Sequence, residues 1–355
     1  MKKFAALALT ASATLSACAT SNPGTADART PPPRPVAVGY VPAFKGFDAI
    51  VAASDFSHYT HINLAFVNPG PDGAVVAGGA MACMEAGGGR TVSLSLLDAA
   101  VARIHAGGAK VLVSLGGGTI PACSGDWAAM LRPEMRATVV RNLVALVDRH
   151  GLDGVDVDIE GELLTRIDKA GDYTPFIAEL GAAMRARGKL LTCATASYEG
   201  GMVPVSSIRW FDLVNVMSYD AIGPTWGRAG DEHAPMAQAE RDMALWRGRG
   251  VPRERLVLGL PFYGYGFNGY RPTYAYREIA AEHAIEPDDD VVGRRCGGCG
   301  YVTFNGLDTL RRKAALAQAQ GAGVMVWEIS QDTDDERLIR AVNAAMAGAS
   351  TPAVD

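Results

Sequence analysis

The sequence predicts an α/β fold, a single (β/α)8 TIM barrel that forms one catalytic domain. From residue 35 onward, eight apolar strand-like runs alternate with segments of helical periodicity. This alternation is typical of right-handed βαβ units, and eight such units close into a barrel. A doubly wound open sheet is the rival architecture. It is disfavoured because the first strand ends in Gly39-Tyr40-Val41-Pro42 and no Gly-rich phosphate-binding turn follows it.

Composition allows an enzyme and argues against nucleic-acid binding. The 355 residues suffice for one large domain with a buried core. Apolar residues make up 48% and charged residues 20%, which is ordinary for a globular protein. The formal charge is −5 and no block of Lys and Arg occurs, so no nucleic-acid partner is expected. We expect a monomer.

Residues 1–18 have the pattern of an export signal. Lys2 and Lys3 precede a short apolar stretch that begins at Phe4 and is too short to span a bilayer. It ends in Leu15-Ser16-Ala17-Cys18, which resembles the lipobox of bacterial lipoproteins. The resemblance implies lipidation of Cys18 and anchoring to the cell envelope, on the outer membrane if the host is Gram-negative. An ordinary secretory peptide cut nearby is the alternative, and either reading predicts export.

Residues 19–34 are rich in Pro, Ser, Thr and Ala, and Pro31-Pro32-Pro33 lies near their end. Such a composition cannot bury a core and is typical of a semi-rigid tether. The catalytic domain is therefore expected over residues 35–348.

The barrel elements follow from periodicity. The eight predicted strands are Val36–Pro42, His61–Val67, Lys110–Leu115, Gly154–Glu160, Lys189–Ser197, Leu213–Tyr219, Leu256–Pro261 and Gly323–Ile329. Helices are expected around Leu97–Ile104 and Tyr173–Met184, and over Leu307–Gln320 and Asp334–Ala347. The stretch Tyr265–Phe304 is predicted to be a loop excursion over the barrel mouth.

Five cysteines follow Cys18, and an exported protein can form disulfides. Cys83 and Cys123 lie in loops after the second and third strands and are candidates to pair. Cys296-Gly297-Gly298-Cys299 has metal or redox spacing, but no second Cys/His pair completes a zinc site, which favours a loop disulfide. Cys193 lies inside an apolar strand and is expected to be a buried free thiol.

Three acids on the fourth strand are the strongest chemical signal. Asp156, Asp158 and Glu160 are spaced by two, so they share one face of the strand and the interleaved Val and Ile share the other. Active sites of such barrels lie at the C-terminal ends of the strands, where Glu160 stands. Each neighbouring pair of charges repels by about 2.5 kcal/mol at an effective dielectric near 20.

This repulsion should keep a proton in the acidic group near neutral pH, and a protonated carboxyl is what a general acid requires. Two other interpretations remain open. The acids can bind Mg²⁺ or Ca²⁺, or they can form a structural polar network. We predict no metal and no cofactor.

The run Asp153-Gly154-Val155-Asp156-Val157-Asp158-Ile159-Glu160 resembles the DGxDxDxE signature of glycoside hydrolase family 18, the chitinases and their relatives. Four other segments resemble the family's strand-end motifs and occur in the same order: Ser114-Leu115-Gly116-Gly117, Met217-Ser218-Tyr219-Asp220, Gly259-Leu260-Pro261-Phe262-Tyr263-Gly264 and Val324-Met325-Val326-Trp327-Glu328. The resemblance covers about residues 36 to 345.

The resemblance implies retaining, substrate-assisted hydrolysis of β-linked N-acetylglucosamine polymers. Glu160 would be the acid and base, Asp158 the partner of the substrate acetamide, and Asp156 a deeper residue that shares a proton with Asp158. Tyr219 would donate to the acetamide carbonyl and Trp327 would form the floor under the sugar. Further candidates for the pocket are Tyr40, Asp220, Met217 and Gly117, and each of these, like Tyr219 and Trp327, has the alternative of a purely structural role.

Departures from the family pattern leave the substrate open. Ala221-Ile222-Gly223 and Tyr265 stand where many members carry polar or aromatic contacts, and Tyr265–Phe304 is shorter than the insertion of processive chitinases. Chitin or chito-oligosaccharides, the core of N-linked glycans and peptidoglycan all remain possible substrates. A glycan-binding protein without turnover is the alternative of another class, but such relatives lose the terminal acid, which is present here as Glu160.

Overall fold

Eight parallel strands close into a barrel in the computed structural model, which describes residue 1 and residues 34–348. The predicted fold class is therefore confirmed. The chain divides into two units, Met1–Arg34 and Pro35–Asp355. The predicted signal peptide, Cys18 and nearly all of the tether lie outside the described residues. None of the helices within the described part of the chain is long and apolar enough to cross a membrane.

The barrel strands, labelled in chain order, are β1 Val36–Pro42, β2 His61–Val67, β3 Lys110–Gly117, β4 Gly154–Ile159, β5 Leu190–Thr195, β6 Leu213–Val216, β7 Leu256–Pro261 and β8 Gly323–Trp327. Each strand pairs with its sequence neighbours, and β1 pairs with β8 to close the barrel. Four predicted strands run too far, because the residues beyond β4, β5, β6 and β8 bend away into the loops at the barrel mouth.

The two faces of the strands build two separate apolar clusters. Val155, Val157 and Ile159 of β4 belong to the large cluster between the barrel and its helices. Inside the barrel lies a smaller cluster that includes Val38, Tyr40 and Met325. The interior side of β4 carries acids instead, and polar side chains of other barrel strands donate hydrogen bonds to the deepest of them, Asp156.

Helices surround the barrel. Those of seven or more residues are Phe47–Ala53, Leu94–Ala106, Pro133–His150, Gly161–Lys169, Tyr173–Arg185, Met236–Gly248, Tyr276–Glu282, Leu307–Gln320 and Arg337–Gly348. The short helical segments are Ala43–Lys45, Phe56–His58, Trp127–Met130, Val205–Ile208, Arg253–Arg255 and Ile329–Gln331. The predicted helix Leu307–Gln320 is confirmed, and the C-terminal helix begins at Arg337 because residues 332–336 form a turn before it.

Two small antiparallel sheets follow β2 and β7. The first contains Val76–Ala77, Ala80–Gly87 and Arg90–Ser93. The second has the order Thr273–Ala275, Tyr263–Phe267, Tyr301–Thr303 and Val291–Gly293. The sequence predicts only a loop excursion for the second, and this sheet begins already at Tyr263, two residues after β7 ends.

Two disulfides tie these excursions. Cys83 on the strand Ala80–Gly87 pairs with Cys123 across 40 residues, which links the excursion after β2 to the loop after β3. Cys296 pairs with Cys299 within the second excursion. Cys193 is a buried free thiol. These pairings match the sequence expectation, with the difference that Cys83 lies on a strand instead of in a loop.

Candidate active site

The acids of β4 enter the barrel interior and reach its mouth in a row. Asp156 is fully buried and Asp158 is 3% exposed. Glu160 follows the last residue of β4 and precedes the helix Gly161–Lys169. Asp158 and Glu160 both line a cleft of about 540 Å³ that opens to solvent. The strand therefore presents two carboxyls to the cleft and keeps the third below them.

Asp156 is held by four hydrogen bonds from four different strands. Tyr40 donates to its Oδ2 at 2.8 Å and Ser114 to the same oxygen at 2.7 Å. Thr192 donates to its Oδ1 at 2.5 Å and Asn215 at 3.4 Å. Burial raises the pKa of Asp156, and these four donors oppose that rise.

The groups around Asp156 are O–H and N–H donors, which suit a hydrogen-bonded carboxylate. Carbonyl and carboxylate oxygens would suit a cation ligand. Among residues 34–348, the one group of side chains spaced to hold a metal ion is Asp55, His58 and Glu336, and it includes none of the β4 acids. The donor set therefore favours a polar network around Asp156 over the divalent-cation alternative.

Asp158 and Glu160 titrate as a pair. Burial raises the pKa of Glu160 to about 7, the charge of Asp220 adds to the rise, and a hydrogen bond with Asp158 opposes it. Burial raises the pKa of Asp158 well above its ordinary value, and the charges of Glu160 and Asp156 act in the same direction. The pair therefore retains a proton at neutral pH. Asp158 Oδ1 is buried and has no hydrogen-bond partner among the described residues.

A glycine turn at the end of β3 lets this strand approach β4 closely. Gly116 has a φ of 96°, and a Cβ on it would lie 2.6 Å from the carbonyl oxygen of Asp158. Gly117 has a φ of 94°, and its Cβ would lie 2.6 Å from the ring of Phe66. Only glycine suits both positions. Gly117, which is predicted to bind substrate, instead lies against Phe66, and the neighbouring Gly118 lines the cleft.

Aromatic rings form one side of the cleft. Trp327 at the end of β8 stacks on Phe66 with ring centres 5.6 Å apart, and Phe66 stacks on Phe44 at 6.4 Å. Phe44 is 39% exposed. Phe44 follows the end of β1, and Phe66 lies at the end of β2. Because active sites of such barrels lie at these strand ends, the sequence could have identified both as candidate site residues. A row of apolar ring faces suits the apolar faces of sugar rings.

The structure places Tyr40 beneath this row. Its ring meets Trp327 edge to face at 5.5 Å, and its side chain is 1% exposed. Tyr40 is absent from the described lining of the cleft. The Tyr40 hydroxyl donates its hydrogen bond to Asp156 and not to a ligand in the cleft. The geometry therefore supports a structural role for Tyr40, which is one of the two roles that the sequence leaves open.

The segment after β6 contributes further lining residues. Met217, Tyr219 and Asp220 all line the cleft. Burial and the charge of Asp158 raise the pKa of Tyr219, which keeps its hydroxyl protonated and able to donate. Asp220 has a φ of 58°, and its Oδ1 accepts a 2.6 Å hydrogen bond from Tyr263. Tyr263 is not predicted from the sequence as a site residue, because it belongs to the small sheet after β7.

The arrangement combines a protonated carboxyl pair, a neutral tyrosine hydroxyl and a row of aromatic faces around one cleft. Four carboxylates line this cleft, namely Glu85, Asp158, Glu160 and Asp220, and none of its described lining residues is Lys, Arg or His. Such a site can bind a sugar chain and donate a proton to it.

Known proteins resemble this chain over most of its length. The profile of glycosyl hydrolases family 18 matches residues 37–332. The chain is 26% identical over 305 residues to "Probable chitinase 10" of Drosophila melanogaster, covering 69% of this chain and 13% of that protein. It is 27% identical over 256 residues to a "chitinase-like effector" of Moniliophthora roreri, covering 65% of this chain and 59% of that protein. The chain thus spans less than two thirds of the length of these curated relatives.

The fold is shared with solved chitinase structures. The GH18 chitinase ChiB from the chitin utilization locus of Flavobacterium johnsoniae superposes with a TM-score of 0.72 at 28% identity, covering 89% of this chain and 94% of that one. A chitinase from Bacteroides thetaiotaomicron, at 23% identity and a TM-score of 0.72, covers 91% of this chain and 100% of that one and shows the same fold.

The raised pKa of Glu160 predicts a stability effect that needs no substrate. Its pKa rises from 4.5 to about 7 on folding, so the folded state binds more protons within this window. The free energy of unfolding should therefore fall as pH rises through it. Glu160→Gln removes this titration and should stabilise the protein at about pH 8 by on the order of 2 kcal/mol, with no gain near pH 4.

Urea unfolding at both pH values measures this difference. Glu162→Gln, in the exposed first turn of the next helix, is the matched control and should show no such dependence. Equal stabilities of Glu160→Gln and wild type at both pH values would contradict the raised pKa.

Proposed function

The chain belongs to glycosyl hydrolases family 18, and on that premise we propose that it hydrolyses β-1,4-linked N-acetylglucosamine polymers, chitin or chito-oligosaccharides. The observation that carries the proposal is the shared cleft of Glu160, Asp158, Tyr219 and Trp327. Glu160 supplies the acid and Asp158 a hydrogen-bond acceptor. Tyr219 supplies a hydrogen-bond donor and Trp327 a surface on which one bound sugar can stack.

Glu160 is the acid and base of the proposed reaction. Its raised pKa keeps a fraction of the carboxyl protonated at neutral pH, so it can donate to the glycosidic oxygen of the leaving sugar. After that sugar departs, the carboxylate accepts a proton from the attacking water. Two successive inversions at the anomeric carbon, first by the acetamide oxygen and then by water, retain its configuration.

The nucleophile comes from the substrate. Asp158 lies on β4 and Glu160 directly follows its last residue, so both carboxyls face the sugar from one side and cannot attack the anomeric carbon from opposite sides. The carbonyl oxygen of the 2-acetamido group can reach this carbon and close an oxazolinium ring. The unpartnered Oδ1 of Asp158 is a free acceptor for the acetamide N–H, and the Tyr219 hydroxyl is a donor for its carbonyl oxygen.

Asp156 acts through Asp158. Its four hydrogen bonds fix its position one step below the cleft, where its charge raises the pKa of Asp158. A protonated Asp158 is neutral while substrate binds and can share its proton with Asp156 when positive charge develops on the oxazolinium ring. Trp327 supports the reacting sugar, and Phe66 holds the indole from behind.

A glycan-binding protein without turnover is the rival of another class. The proton retained by the pair of Asp158 and Glu160 supports turnover, because a general acid must hold a proton that it can donate, whereas sugar binding alone does not require one. The core of N-linked glycans is another substrate that the same acetamide chemistry could cleave. It differs from chitin in the branched sugars that the outer part of the cleft would have to accommodate.

Glu160→Gln should lower the turnover of chito-oligosaccharides by roughly 10²–10⁴-fold, because the amide cannot donate a proton. The dissociation constant for an oligosaccharide should stay within about twofold, since the cleft keeps its shape. Product release is measured by chromatography and binding by calorimetry.

Glu162→Gln is the control for this experiment and should hydrolyse at the wild-type rate. Turnover by Glu160→Gln at the wild-type rate would refute the assigned acid. If neither Glu160→Gln nor the wild type hydrolysed the oligosaccharide while both bound it tightly, the result would support a glycan-binding protein without turnover.

We further propose that the mature chain is exported and anchored by a lipid on Cys18, as its lipobox-like segment suggests. Mass spectrometry of the exported wild-type protein should find the lipid on Cys18 at the new N-terminus, and Cys18→Ser should lack the lipid while its turnover stays unchanged. A mature wild-type protein that carries no lipid on Cys18 would refute the anchor.

A further inference from the structure

The turns that lead into the eight barrel strands all lie at the end of the barrel opposite the catalytic cleft, because parallel strands begin at the same end. From the last turn of each outer helix to the first residue of the next strand, these turns are residues 35–36, 50–61, 103–110, 147–154, 182–190, 205–213, 245–256 and 317–323. None of the described lining residues of the catalytic cleft belongs to them. Their charges therefore have no part in the proposed reaction.

Cations outnumber acids in these turns. The turns contain eleven Lys and Arg and five Asp and Glu, a formal charge of +6, whereas the whole chain has a formal charge of −5. All eleven cations lie in the turns before β3, β4, β5, β6 and β7, which are neighbours around the barrel. We call this surface, formed by residues 103–110, 147–154, 182–190, 205–213 and 245–256, the basic face. Its cations are scattered along the sequence, and the fold brings them to one end.

Few of these cations are neutralised locally. Of the eleven, only Arg187 forms an ion pair with an Asp or Glu within residues 34–348, namely with Asp148 at 3.0 Å. Asp55 and Asp153 contact histidines instead, at 3.8 Å and 2.7 Å. Arg103 adds only a longer-range attraction to Asp55. Most of the positive charge of the basic face therefore remains available to a partner.

The other two acids of these turns do not change this balance. Asp212 is half-buried and accepts the backbone N–H of Leu191 at 2.9 Å. Glu254 is exposed, but it lies between two arginines in the short helix Arg253–Arg255. The charge of each acid is thus outweighed by the cations around it.

Helix stabilisation explains only part of the surplus. A cation in the last turn of a helix interacts favourably with the helix macrodipole. Arg103, Arg149, Arg185 and Arg247 lie in such turns. The other seven cations lie beyond the ends of these helices. They therefore need another reason to be concentrated at this end of the barrel.

Hydrogen bonds within the basic face leave its charge in place. Arg253 donates to the carbonyl oxygen of Gln318 at 2.8 Å, and Arg255 donates to that of Phe211 at 3.2 Å. These contacts join neighbouring turns. A carbonyl oxygen carries no formal charge, so both guanidinium groups remain positive.

The basic face is also the end of the barrel at which the N-terminal segment enters. Pro35 precedes β1, so the segment that carries Cys18 joins the barrel where the strands begin. The four carboxylates of the catalytic cleft lie at the other end. An anionic membrane attracts cations near its surface and repels carboxylates. The charges of the two ends thus favour one orientation at such a membrane.

We propose that the basic face binds an anionic phospholipid surface and directs the mouth of the catalytic cleft away from the membrane. A layer of phospholipid headgroups fits because the cations come from five adjacent turns and not from one pocket, and such a layer presents phosphates over a broad plane. The surface acts together with a lipid on Cys18 but requires neither that lipid nor hydrolysis. Its test can therefore fail while the proposed anchor and the proposed reaction hold.

The domain from Pro35 onward can be tested without the N-terminal segment, because it contains the closed barrel, both apolar clusters and both disulfides. It is sedimented with vesicles of phosphatidylcholine alone and with vesicles that also contain about 30 mol% phosphatidylglycerol. We expect binding to the anionic vesicles at about 0.1 M salt, its loss at about 0.5 M salt, and no binding to the neutral vesicles.

The triple variant Lys110→Gln, Arg149→Gln and Arg209→Gln removes three exposed cations of the basic face whose side chains donate no hydrogen bond within residues 34–348. Each Lys or Arg near an anionic membrane raises the partition coefficient by about fivefold. The variant should therefore lower the partition coefficient for anionic vesicles by roughly 10–100-fold. Thermal unfolding and the turnover of chito-oligosaccharides should match wild type, which shows that the fold and the cleft are intact.

The triple variant Arg132→Gln, Arg312→Gln and Arg340→Gln is the charge-matched control. It removes three exposed cations that lie outside the basic face, so the net charge changes equally. The control should keep wild-type binding to within about threefold. Equal losses in the two triple variants, equal binding to neutral and anionic vesicles, or no binding to either would overturn the proposal. Tighter binding to dissolved polygalacturonate than to anionic vesicles would also overturn it, in favour of an anionic polysaccharide.

Discussion

Three carboxyls project from one strand into one barrel, and the rest of the site is arranged to make that possible. Asp156 is stabilised by hydroxyl and amide donors from β1, β3, β5 and β6. Asp158 and Glu160 have no comparable set of donors among the described residues, and burial raises the pKa of both. The repulsion that would destabilise three charges is thus relieved by hydrogen bonds at the bottom of the row and by a retained proton at the top. That proton is the one the proposed reaction transfers.

The same constraint determines where the nucleophile must come from. Acids on one strand face the sugar from one side, so a second protein carboxylate would have to come from another element. Asp220 and Glu85 are the only other acids among the described lining residues of the catalytic cleft. Asp220 Oδ1 is engaged by the Tyr263 hydroxyl at 2.6 Å, and Glu85 lies on the excursion after β2. The acetamide of the substrate, beside the free Oδ1 of Asp158, is the simpler nucleophile.

Periodicity is sufficient to predict the barrel, because eight parallel strands each carry an apolar run and helices alternate with them. It also places Asp156, Asp158 and Glu160 on one inward face, which the structure shows. The ends of the strands are less predictable from the sequence. Functional residues such as Tyr219 lie just beyond the last residue that pairs with a neighbouring strand. Glu85 and Tyr263 escape prediction because they lie on small sheets whose strands have two to eight residues and little alternation. Tyr40 is expected in the substrate pocket from its place at a strand end. Its hydroxyl instead donates to the buried carboxylate of Asp156, which lies below the cleft.

The proposed mechanism depends on the substrate's own acetamide acting as the nucleophile. The most direct test is inhibition of chito-oligosaccharide hydrolysis by a thiazoline analogue of the oxazolinium ion. Competitive inhibition is predicted, with an affinity at least about 10²-fold above that of the corresponding product, because the analogue resembles the intermediate that Asp158 and Tyr219 stabilise. An active enzyme that the thiazoline does not inhibit, and that accumulates a covalent glycosyl adduct on Asp220, would contradict it.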